Sequence, residues 1–280
     1  MAVKALRHER ALMFTIQLVL LDFPVIMILT KNCYERLMMY SKILKQKLFN
    51  SANLLNFKFS NPDIYKKIGQ VRSSSLTYLS KGALFDLARV VLETESRDVT
   101  GDIIEAGCAL GGSSIIFAAC KHKNRKLLVY DAFGMIPPPS DKDGQDVKQR
   151  YEQIANGEAV GIDGNTYYGY FDDLRKIVSN NFCEFGFGLK ENNISLIEGY
   201  YEDTLHINSP ISVAHIDCDW YHSVYLCLEQ IAPMLSKGGI MTIDDYYTWS
   251  GCRKAVDEYF RDKDDDFQFR TRNRLQVKRL

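Results

Sequence analysis

The chain has 280 residues, 46% of them hydrophobic and 25% charged, which is the composition of a globular protein with one large or two modest domains. Its 35 basic and 35 acidic residues leave no net charge, which argues against a nucleic acid or an electrostatically bound membrane as partner. Seven cysteines, an odd number without paired spacing, favour a reducing compartment, and we therefore expect a cytoplasmic protein.

The N-terminal region contains a long apolar stretch, residues 11–30, which Gln17, Asp22 and Pro24 interrupt near its middle. An Asp at the centre of a membrane span costs about 2.5–3.5 kcal/mol on insertion scales. The stretch also lacks the small-residue cleavage site of a secretory signal. We expect it to form a helix that packs against the body of the protein, a subunit or a membrane surface.

The next elements lead into the core. Apolar residues repeat at helical spacing from Leu76 to Leu92. We predict a helical extension over residues 1–95, in front of a core over residues 96–280.

Residues 101–114 read GDIIEAGCALGGSS, which predicts a short buried strand, a glycine turn and a helix. This is the opening of a doubly wound α/β sheet, and ligands of such sheets bind at the carboxyl ends of the strands, where the turn lies. Gly107 and Gly111 lack a Cβ atom, so we expect their backbone to approach a ligand closely. Ser113 and Ser114 offer hydroxyls to the ligand or cap the helix.

The spacing differs from the dinucleotide fingerprint G-x-G-x-x-G, because three residues separate Gly107 from the next glycine. Glu105 would repel a pyrophosphate, and it suits a ligand with an amino group or a positive charge. S-adenosylmethionine has an ammonium and a sulfonium group and no phosphate. The alternative for this stretch alone is a glycine turn that only packs a helix on the sheet.

Residues 126–131, KLLVYD, predict a second buried strand that ends in Asp131. Asp131 follows Gly107 by 24 residues (131 − 107), close to the roughly 20-residue offset at which an acid binds ribose hydroxyls. We predict that Asp131 binds the cofactor ribose, with a surface acid at a strand end as the alternative. A third strand is predicted at residues 194–198, with Gly199 at its end.

Residues 134–170 are rich in Gly, Pro, Asp and Tyr and predict a long irregular segment. Such segments in compact domains are usually functional or disordered. Its place after Asp131 predicts a lid that closes over an acceptor.

Two further predicted strands end in acids, at Asp217 and at Asp244-Asp245. Neighbouring parallel strands bring these carboxylates to one edge, where they repel one another unless a cation or ligand compensates. All-oxygen ligands suit Mg²⁺, Ca²⁺ or Mn²⁺ rather than zinc. The alternative is that each acid is a helix cap or a solvated turn residue.

Two histidines accompany these acids. His222 is a candidate base or acceptor-pocket residue, with a structural role as the alternative, whereas His215 lies inside a strand and is expected in or near the core. Residues 266–280 alternate apolar and polar residues and predict two short strands that turn near Asn273. We expect an antiparallel final strand there, with its arginines facing solvent.

Six motifs in order, over roughly residues 70–280, resemble the macrocin O-methyltransferase family of metal-dependent sugar O-methyltransferases. They are Glu105 to Ser113, Asp131-Ala-Phe133 with Pro137, Gly199 to Leu205, Asp217-Cys-Asp-Trp-Tyr221, Gly238-Gly239 with Asp244-Asp245-Tyr246, and Ala255 to Tyr259. Two departures from the family pattern are Gly134, three residues past Asp131 rather than four, and His222, where an acid is common.

The resemblance implies a Rossmann-like class I methyltransferase fold, S-adenosylmethionine as the donor and a divalent metal, Mg²⁺. It implies Asp217, Asp244 and Asp245 as metal ligands, and Asp217 or His222 as the base. The cofactor residues it implies are Glu105, Ala106, Gly107, Gly112, Ser113, Asp131, Phe133 and Gly199. The expected acceptor is a hydroxyl of a sugar or another vicinal diol on a glycosylated small molecule, as in natural-product or glycan biosynthesis. We also expect a homo-oligomer.

Three other readings remain at this point. A dehydrogenase on the same fold is opposed by the missing G-x-G-x-x-G and by Glu105. A non-catalytic scaffold or membrane-associated subunit is opposed by the acid trio and the cofactor turn. A metal-free methyltransferase would bind the cofactor without metal dependence.

Overall fold

A computed structural model describes residues 56–263 and 265–280. Residues 11–30 and most of the predicted helical extension lie outside the described residues. A compact unit runs from Asn61 to Leu280. Within the described part of the chain, no helix is long and apolar enough to cross a membrane.

The unit is built on one seven-stranded sheet with the strand order β3-β2-β1-β4-β5-β7-β6. The strands are β1 (Asp102–Ala106), β2 (Leu127–Asp131), β3 (Ile194–Glu198), β4 (Ile211–Ile216), β5 (Leu235–Ile243), β6 (Phe267–Thr271) and β7 (Leu275–Arg279). β1 to β5 pair in parallel, and β7 runs antiparallel to both of its neighbours. The expected doubly wound, mostly parallel sheet with an antiparallel final strand is therefore confirmed.

Eight α-helices accompany the sheet in this unit. They are α1 (Pro62–Ser73), α2 (Lys81–Ser96), α3 (Gly112–Cys120), α4 (Gln145–Ala155), α5 (Leu174–Glu184), α6 (Tyr201–Thr204), α7 (Tyr221–Ile231) and α8 (Ser250–Phe260). α1 and α2 pack against each other and against α3, and α7 packs against α8.

The two faces of the sheet carry different interiors because successive side chains of a strand point to opposite sides. Ile104, Ala214 and Met241 face the apolar cluster that α7 and α8 complete. The residues that follow them in each strand, Glu105, His215 and Thr242, are buried on the opposite side. One face of the sheet therefore carries buried polar groups just below the carboxyl ends of β1, β4 and β5.

The register aligns these carboxyl ends. Ala106 of β1 pairs with Ile216 of β4, and Ile216 pairs with Ile243 of β5. The residues that leave these strands, from Gly107, Asp217 and Asp244 onward, therefore start at the same level of the sheet.

The predicted irregular segment over residues 134–170 contains regular structure. An 11-residue helix, α4, lies in it and buries Val147 and Ile154. Two short 3₁₀ helices follow at Ile162–Gly164 and Tyr168–Tyr170. The sequence did not predict α4, because the surrounding segment is rich in Gly and Pro and because most residues of the helix are polar, which leaves a narrow apolar face.

Candidate active site

The acids that follow β4 and β5 share one cavity of about 330 Å³. Asp217, Asp244 and Asp245 all line it, as the sequence predicted from the strand ends. Its other lining residues include Gly107, Ser113, Asp131, Tyr78, Arg150, Tyr167, Tyr168, Asp219, Trp220, Trp249 and Arg274.

Asp244 is the carboxylate with cationic neighbours. Its Oδ1 accepts a hydrogen bond from Arg274 Nε at 2.6 Å and lies 3.6 Å from His215 Nε2. Burial raises the pKa of Asp244, but His215 and Arg274 more than offset this and hold it below its usual value. The expectation that the C-terminal arginines face solvent is wrong for Arg274, which is partly buried and lines the cavity.

The negative charges of Asp217 and Asp245 are offset less by neighbouring cations than that of Asp244. Burial raises the pKa of both groups well above the usual range, with a further contribution from Asp244 at Asp217 and from Asp219 at Asp245. Oδ2 of Asp245 is buried and has no hydrogen-bond partner among the described residues. An oxygen of this kind suits a ligand or a cation that the protein itself does not supply.

Asp219 is a further acid of this cavity. Its Oδ1 accepts a hydrogen bond from Trp249 Nε1 at 2.9 Å, and burial raises its pKa to about 6. Asp219 has a φ of 59°, in the left-handed region that Asp tolerates better than most residues.

Three side chains, His215, Asp217 and Asp244, each present an atom that lies within 4.8 Å of the others. His215 is nevertheless a poor ligand. Burial lowers its pKa, but the carboxylate of Asp244, 3.6 Å from Nε2, and that of Glu105, 2.8 Å from Nδ1, raise the pKa to about 10, which favours the protonated imidazole. A protonated imidazole has no free lone pair. Carboxylate oxygens, such as those of Asp217, Asp244 and Asp245, are the ligand type that Mg²⁺ accepts.

The glycine turn after β1 packs against neighbouring backbone. Gly107 has a φ of 89°, and a Cβ atom there would overlap the carbonyl oxygen of Asp217. A Cβ atom at Gly112 would lie 2.5 Å from the carbonyl oxygen of Leu76. The expectation that Gly107 and Gly111 clear space for a ligand is incomplete. Gly107 lines the cavity, but its missing Cβ makes room for the neighbouring chain, and a Cβ atom at Gly111 would lie 3.0 Å from Val178 Cγ1.

Glu105 does not reach the cavity. Its side chain is fully buried, accepts a hydrogen bond from the Ser114 hydroxyl and pairs with His215 Nδ1 at 2.8 Å. The expected contact between Glu105 and the charged groups of a cofactor stays a prediction. Glu105 instead fixes the position of the His215 ring through Nδ1.

Asp131 lines both this cavity and a smaller neighbouring one of about 50 Å³. Its Oδ2 accepts from Cys108 N at 2.7 Å, and its Oδ1 accepts from Phe133 N at 2.8 Å. Gly199 lines the smaller cavity. The carboxylate is thus held by two backbone N–H groups at the junction of the two cavities.

The predicted cofactor residues divide into two groups. Gly107, Ser113, Asp131 and Gly199 line one or both cavities. Glu105, Ala106, Gly112 and Phe133 are buried away from them.

His222 is not brought to the acids. Its side chain is 61% exposed on α7, and Nε2 pairs with Glu202 Oε1 at 2.8 Å. It lines neither cavity. The first turn of α7 directs His222 to the surface, and its role as a base stays a prediction.

The insert over residues 134–170 is anchored beside the acids. Asp143 Oδ1 accepts from Tyr221 N at 2.8 Å, at the start of α7, and Asp146 Oδ2 accepts from Ser250 N at 2.9 Å, at the start of α8. Trp220 Nε1 donates to Pro137 O at 2.9 Å. The insert thus supplies helix caps to the two helices that follow the acidic turns.

Sequence reasoning missed four contributors: Arg150, Trp249, Arg274 and the Glu105–His215 pair. The sequence showed only that these residues are charged or aromatic. It gave no sign of their place in the cavity, because each is far along the chain from the residue it contacts there.

The comparisons with known proteins agree with this geometry. The model of the family described as Macrocin-O-methyltransferase (TylF) matches residues 31–267. A Streptomyces olivaceus protein, 8-demethyl-8-(2,3-dimethoxy-alpha-L-rhamnosyl)-tetracenomycin-C 4'-O-methyltransferase, is 28% identical over 78% of this chain and 81% of its own. The mycinamicin III 3''-O-methyltransferase of Micromonospora griseorubida is 29% identical over 69% of this chain and 68% of its own.

Among solved structures, the O-methyltransferase NovP is similar with a TM-score of 0.59 and 23% identity, over 72% of this chain and 80% of that chain. The sheet topology and this similarity show the class I methyltransferase fold. The family model matches residues 31–267, which is most of this chain. The chain therefore belongs to the macrocin O-methyltransferase family and is an S-adenosylmethionine-dependent O-methyltransferase.

Proposed function

We propose that this enzyme methylates a hydroxyl of a sugar, or of another small molecule with vicinal hydroxyls, in a metal-dependent reaction. The observation that carries the proposal is that Asp217, Asp244 and Asp245 line the same cavity as Gly107 and Asp131. Methyl donor and acceptor oxygen must meet at about 3–3.5 Å, and one shared cavity permits this approach.

The cofactor is proposed to lie across the junction of the two cavities. Asp131, oriented by two backbone N–H groups, has lone pairs left to accept hydrogen bonds from the ribose hydroxyls. Gly199, in the smaller cavity, would lie near the adenosine, and Gly107 and Ser113 would lie along the amino-acid part.

Asp217, Asp244 and Asp245 are the proposed ligands of a divalent cation. When bound, such a cation would orient two neighbouring hydroxyls of the acceptor and lower the pKa of the attacking one. Arg274 and His215 serve this arrangement by keeping Asp244 ionised and fixed in position.

When bound, S-adenosylmethionine would supply the methyl group: its C–S bond would break as the O–C bond forms, and the acceptor hydroxyl would lose its proton. We assign this proton to the carboxylate of Asp217, which lines both cavities.

The sugar acceptor is supported by two observations. The relatives from Streptomyces olivaceus and Micromonospora griseorubida are named as methyltransferases of a rhamnosyl tetracenomycin and of mycinamicin III. The cavity wall carries Tyr78, Tyr167 and Trp249, whose rings suit the apolar face of a sugar, next to carboxylates that suit its hydroxyls.

The test is calorimetric titration with S-adenosylmethionine and then Mg²⁺, on the wild type and on Asp245→Asn. Asp245 is the better choice because its buried Oδ2 has no hydrogen-bond partner among the described residues. Asp262→Asn, an exposed acid that lines neither cavity, is the matched control. We expect cofactor binding by all three proteins and at least about ten-fold weaker Mg²⁺ binding only in Asp245→Asn.

Two results would contradict the proposal. A folded wild-type protein that does not bind S-adenosylmethionine would contradict the assigned cofactor site. Methyl transfer to a glycoside at full rate in EDTA would contradict the metal dependence while leaving the methyltransferase activity intact.

A further inference from the structure

Arg150 lies on α4, in the insert, and lines the larger cavity. It is partly buried, its guanidinium lies 5.8 Å from the ring centroid of Tyr167, and Nη1 donates to Gln153 Oε1 at 3.4 Å. Neither contact neutralises its charge, because a phenol ring and an amide are both uncharged partners.

The lining of this cavity includes one other cation, Arg274, which is paired with Asp244. No carboxylate of the described residues forms an ion pair with Arg150. Asp219 lies close enough for the two charges to interact, but its Oδ1 is already hydrogen-bonded to Trp249. Arg150 therefore presents a cationic group to the cavity without a direct counter-charge from the described chain.

We propose that Arg150 binds a carboxylate of a ligand held in the larger cavity, an inference that rests on the proposed function. The planar guanidinium matches a carboxylate through two parallel hydrogen bonds. The neighbouring lining residues Ile154, Tyr78 and Tyr167 are apolar or aromatic, which lowers the local dielectric and strengthens such a pair.

Two ligands of this reaction can present that group. One is the amino-acid carboxylate of the cofactor, which is bound in every turnover. The other is an acidic group on the sugar acceptor, such as the carboxylate of a uronic acid. The chemistry of recognition is the same for both, and the experiment has one arm for each source.

The first arm compares S-adenosylhomocysteine with 5'-methylthioadenosine, which lacks the amino-acid part. Binding of each is measured by calorimetry to the wild type, Arg150→Gln and Arg150→Lys. If the cofactor is the source, Arg150→Gln weakens S-adenosylhomocysteine by about 10- to 100-fold and leaves methylthioadenosine unchanged. Arg150→Lys keeps part of the affinity for S-adenosylhomocysteine, because lysine retains the positive charge but cannot form the two parallel hydrogen bonds of a guanidinium.

Arg97→Gln is the matched control for the loss of a guanidinium. Arg97 is an exposed residue paired with Glu93 on α2, and it lines neither cavity. We expect it to bind both nucleosides like the wild type. Unchanged methylthioadenosine binding by Arg150→Gln also shows that the variant is folded.

The second arm uses the complex with S-adenosylhomocysteine and compares methyl β-D-glucuronide with methyl β-D-glucoside by saturation-transfer NMR. If the acceptor is the source, the wild type prefers the glucuronide and Arg150→Gln loses that preference. Equal binding of S-adenosylhomocysteine by wild type and Arg150→Gln, with no preference for the glucuronide, overturns the inference. An equal loss of both nucleosides overturns it too, since Arg150 would then only support the fold or offset Asp219.

The two proposals fail in different ways. A wild-type protein that binds neither nucleoside contradicts the proposed function itself. Wild-type binding in which neither S-adenosylhomocysteine nor the glucuronide depends on Arg150 contradicts only this inference.

Discussion

Arg274 Nε donates a hydrogen bond to Asp244 Oδ1 across 2.6 Å, and this contact joins the turn between β6 and β7 to the end of β5. The two residues are 30 positions apart in the chain. They meet because β7 pairs antiparallel with β5, so that the residue before β7 lies beside the residue after β5. An arginine of the C-terminal hairpin is thereby part of the acidic cavity.

Arg274→Gln is expected to lower the free energy of unfolding by roughly 1–3 kcal/mol at pH 7, because a mostly buried carboxylate loses its charged partner. The pKa of Asp244 is lowered in the folded protein, so this stabilisation is present above the unfolded pKa and is lost as pH falls through the folded value. The difference from wild type should therefore shrink below about pH 4. Urea denaturation at pH 7 and pH 3 measures this, with the exposed Arg97→Gln as the control. A difference that is equal at both pH values would count against the Asp244 pair as its origin.

His215→Gln should change the pH dependence of stability at alkaline pH, whereas Arg274→Gln changes it at acidic pH. The pKa of His215 is raised from 6.5 to about 10 in the folded protein. Its stabilising charge is then fully present below pH 6.5 and is lost as pH rises through about 10. We expect the wild type to exceed His215→Gln in stability more at pH 6 than at pH 10, in denaturation curves recorded with EDTA. A gap that widens toward pH 10 would show that the imidazole is neutral in the fold.

Gly107→Ala should destabilise the protein by more than about 3 kcal/mol, because the added Cβ overlaps the Asp217 carbonyl oxygen at a positive φ. Gly157→Ala provides the comparison. It also has a positive φ, 75°, but nothing within 4 Å of the added Cβ, so it should cost only about 1 kcal/mol. Thermal denaturation of both variants measures the difference. Similar costs would mean that backbone strain, rather than the close approach of β1 and β4, requires glycine at 107.

Asp143→Ala should destabilise the protein by about 1–2 kcal/mol, since Tyr221 N at the start of α7 loses its acceptor. The same change frees one anchor of the insert, so limited proteolysis within residues 134–170 should become faster. Asp141→Ala, at an exposed position two residues earlier, is the control and should leave both measurements within error. Unchanged cleavage in Asp143→Ala would show that the remaining contacts hold the insert without it.

His222→Ala should retain methyl transfer within about two-fold, because His222 pairs with Glu202 at the surface. Asp217→Asn should lower kcat by on the order of 100-fold or more, as expected for a general base. Transfer of labelled methyl groups to a glycoside acceptor measures both variants. A large loss in His222→Ala would mean that the histidine enters the cavity once ligands are bound.

The strand-end acids were predictable because parallel strands impose a simple geometry. Asp131, Asp217, Asp244 and Asp245 each follow an apolar run, and the carboxyl ends of such strands meet at one edge of the sheet. Local pattern and this single rule were enough to predict the cavity's acids and the glycine turn. The family resemblance rests on the same short segments, so it too was visible in the sequence.

What surrounds the acids depended on the tertiary structure. Glu105 was predicted at the ligand because it ends a strand, but the alternation of side chains turned it to the opposite face, beside His215. His222 was predicted near the acids by proximity in sequence, but the first turn of α7 carried it to the surface.

The sequence by itself determined the succession of strands and turns along the chain and the acids at the strand ends. These features follow from local periodicity and from residues next to one another. Only the tertiary structure decided that Arg274 pairs with Asp244 and that Arg150 lines the cavity without an ion-pair partner among the described residues. Charges interact through distance in space, and the pairing of β5 with β7 and the docking of α4 set those distances independently of separation along the chain.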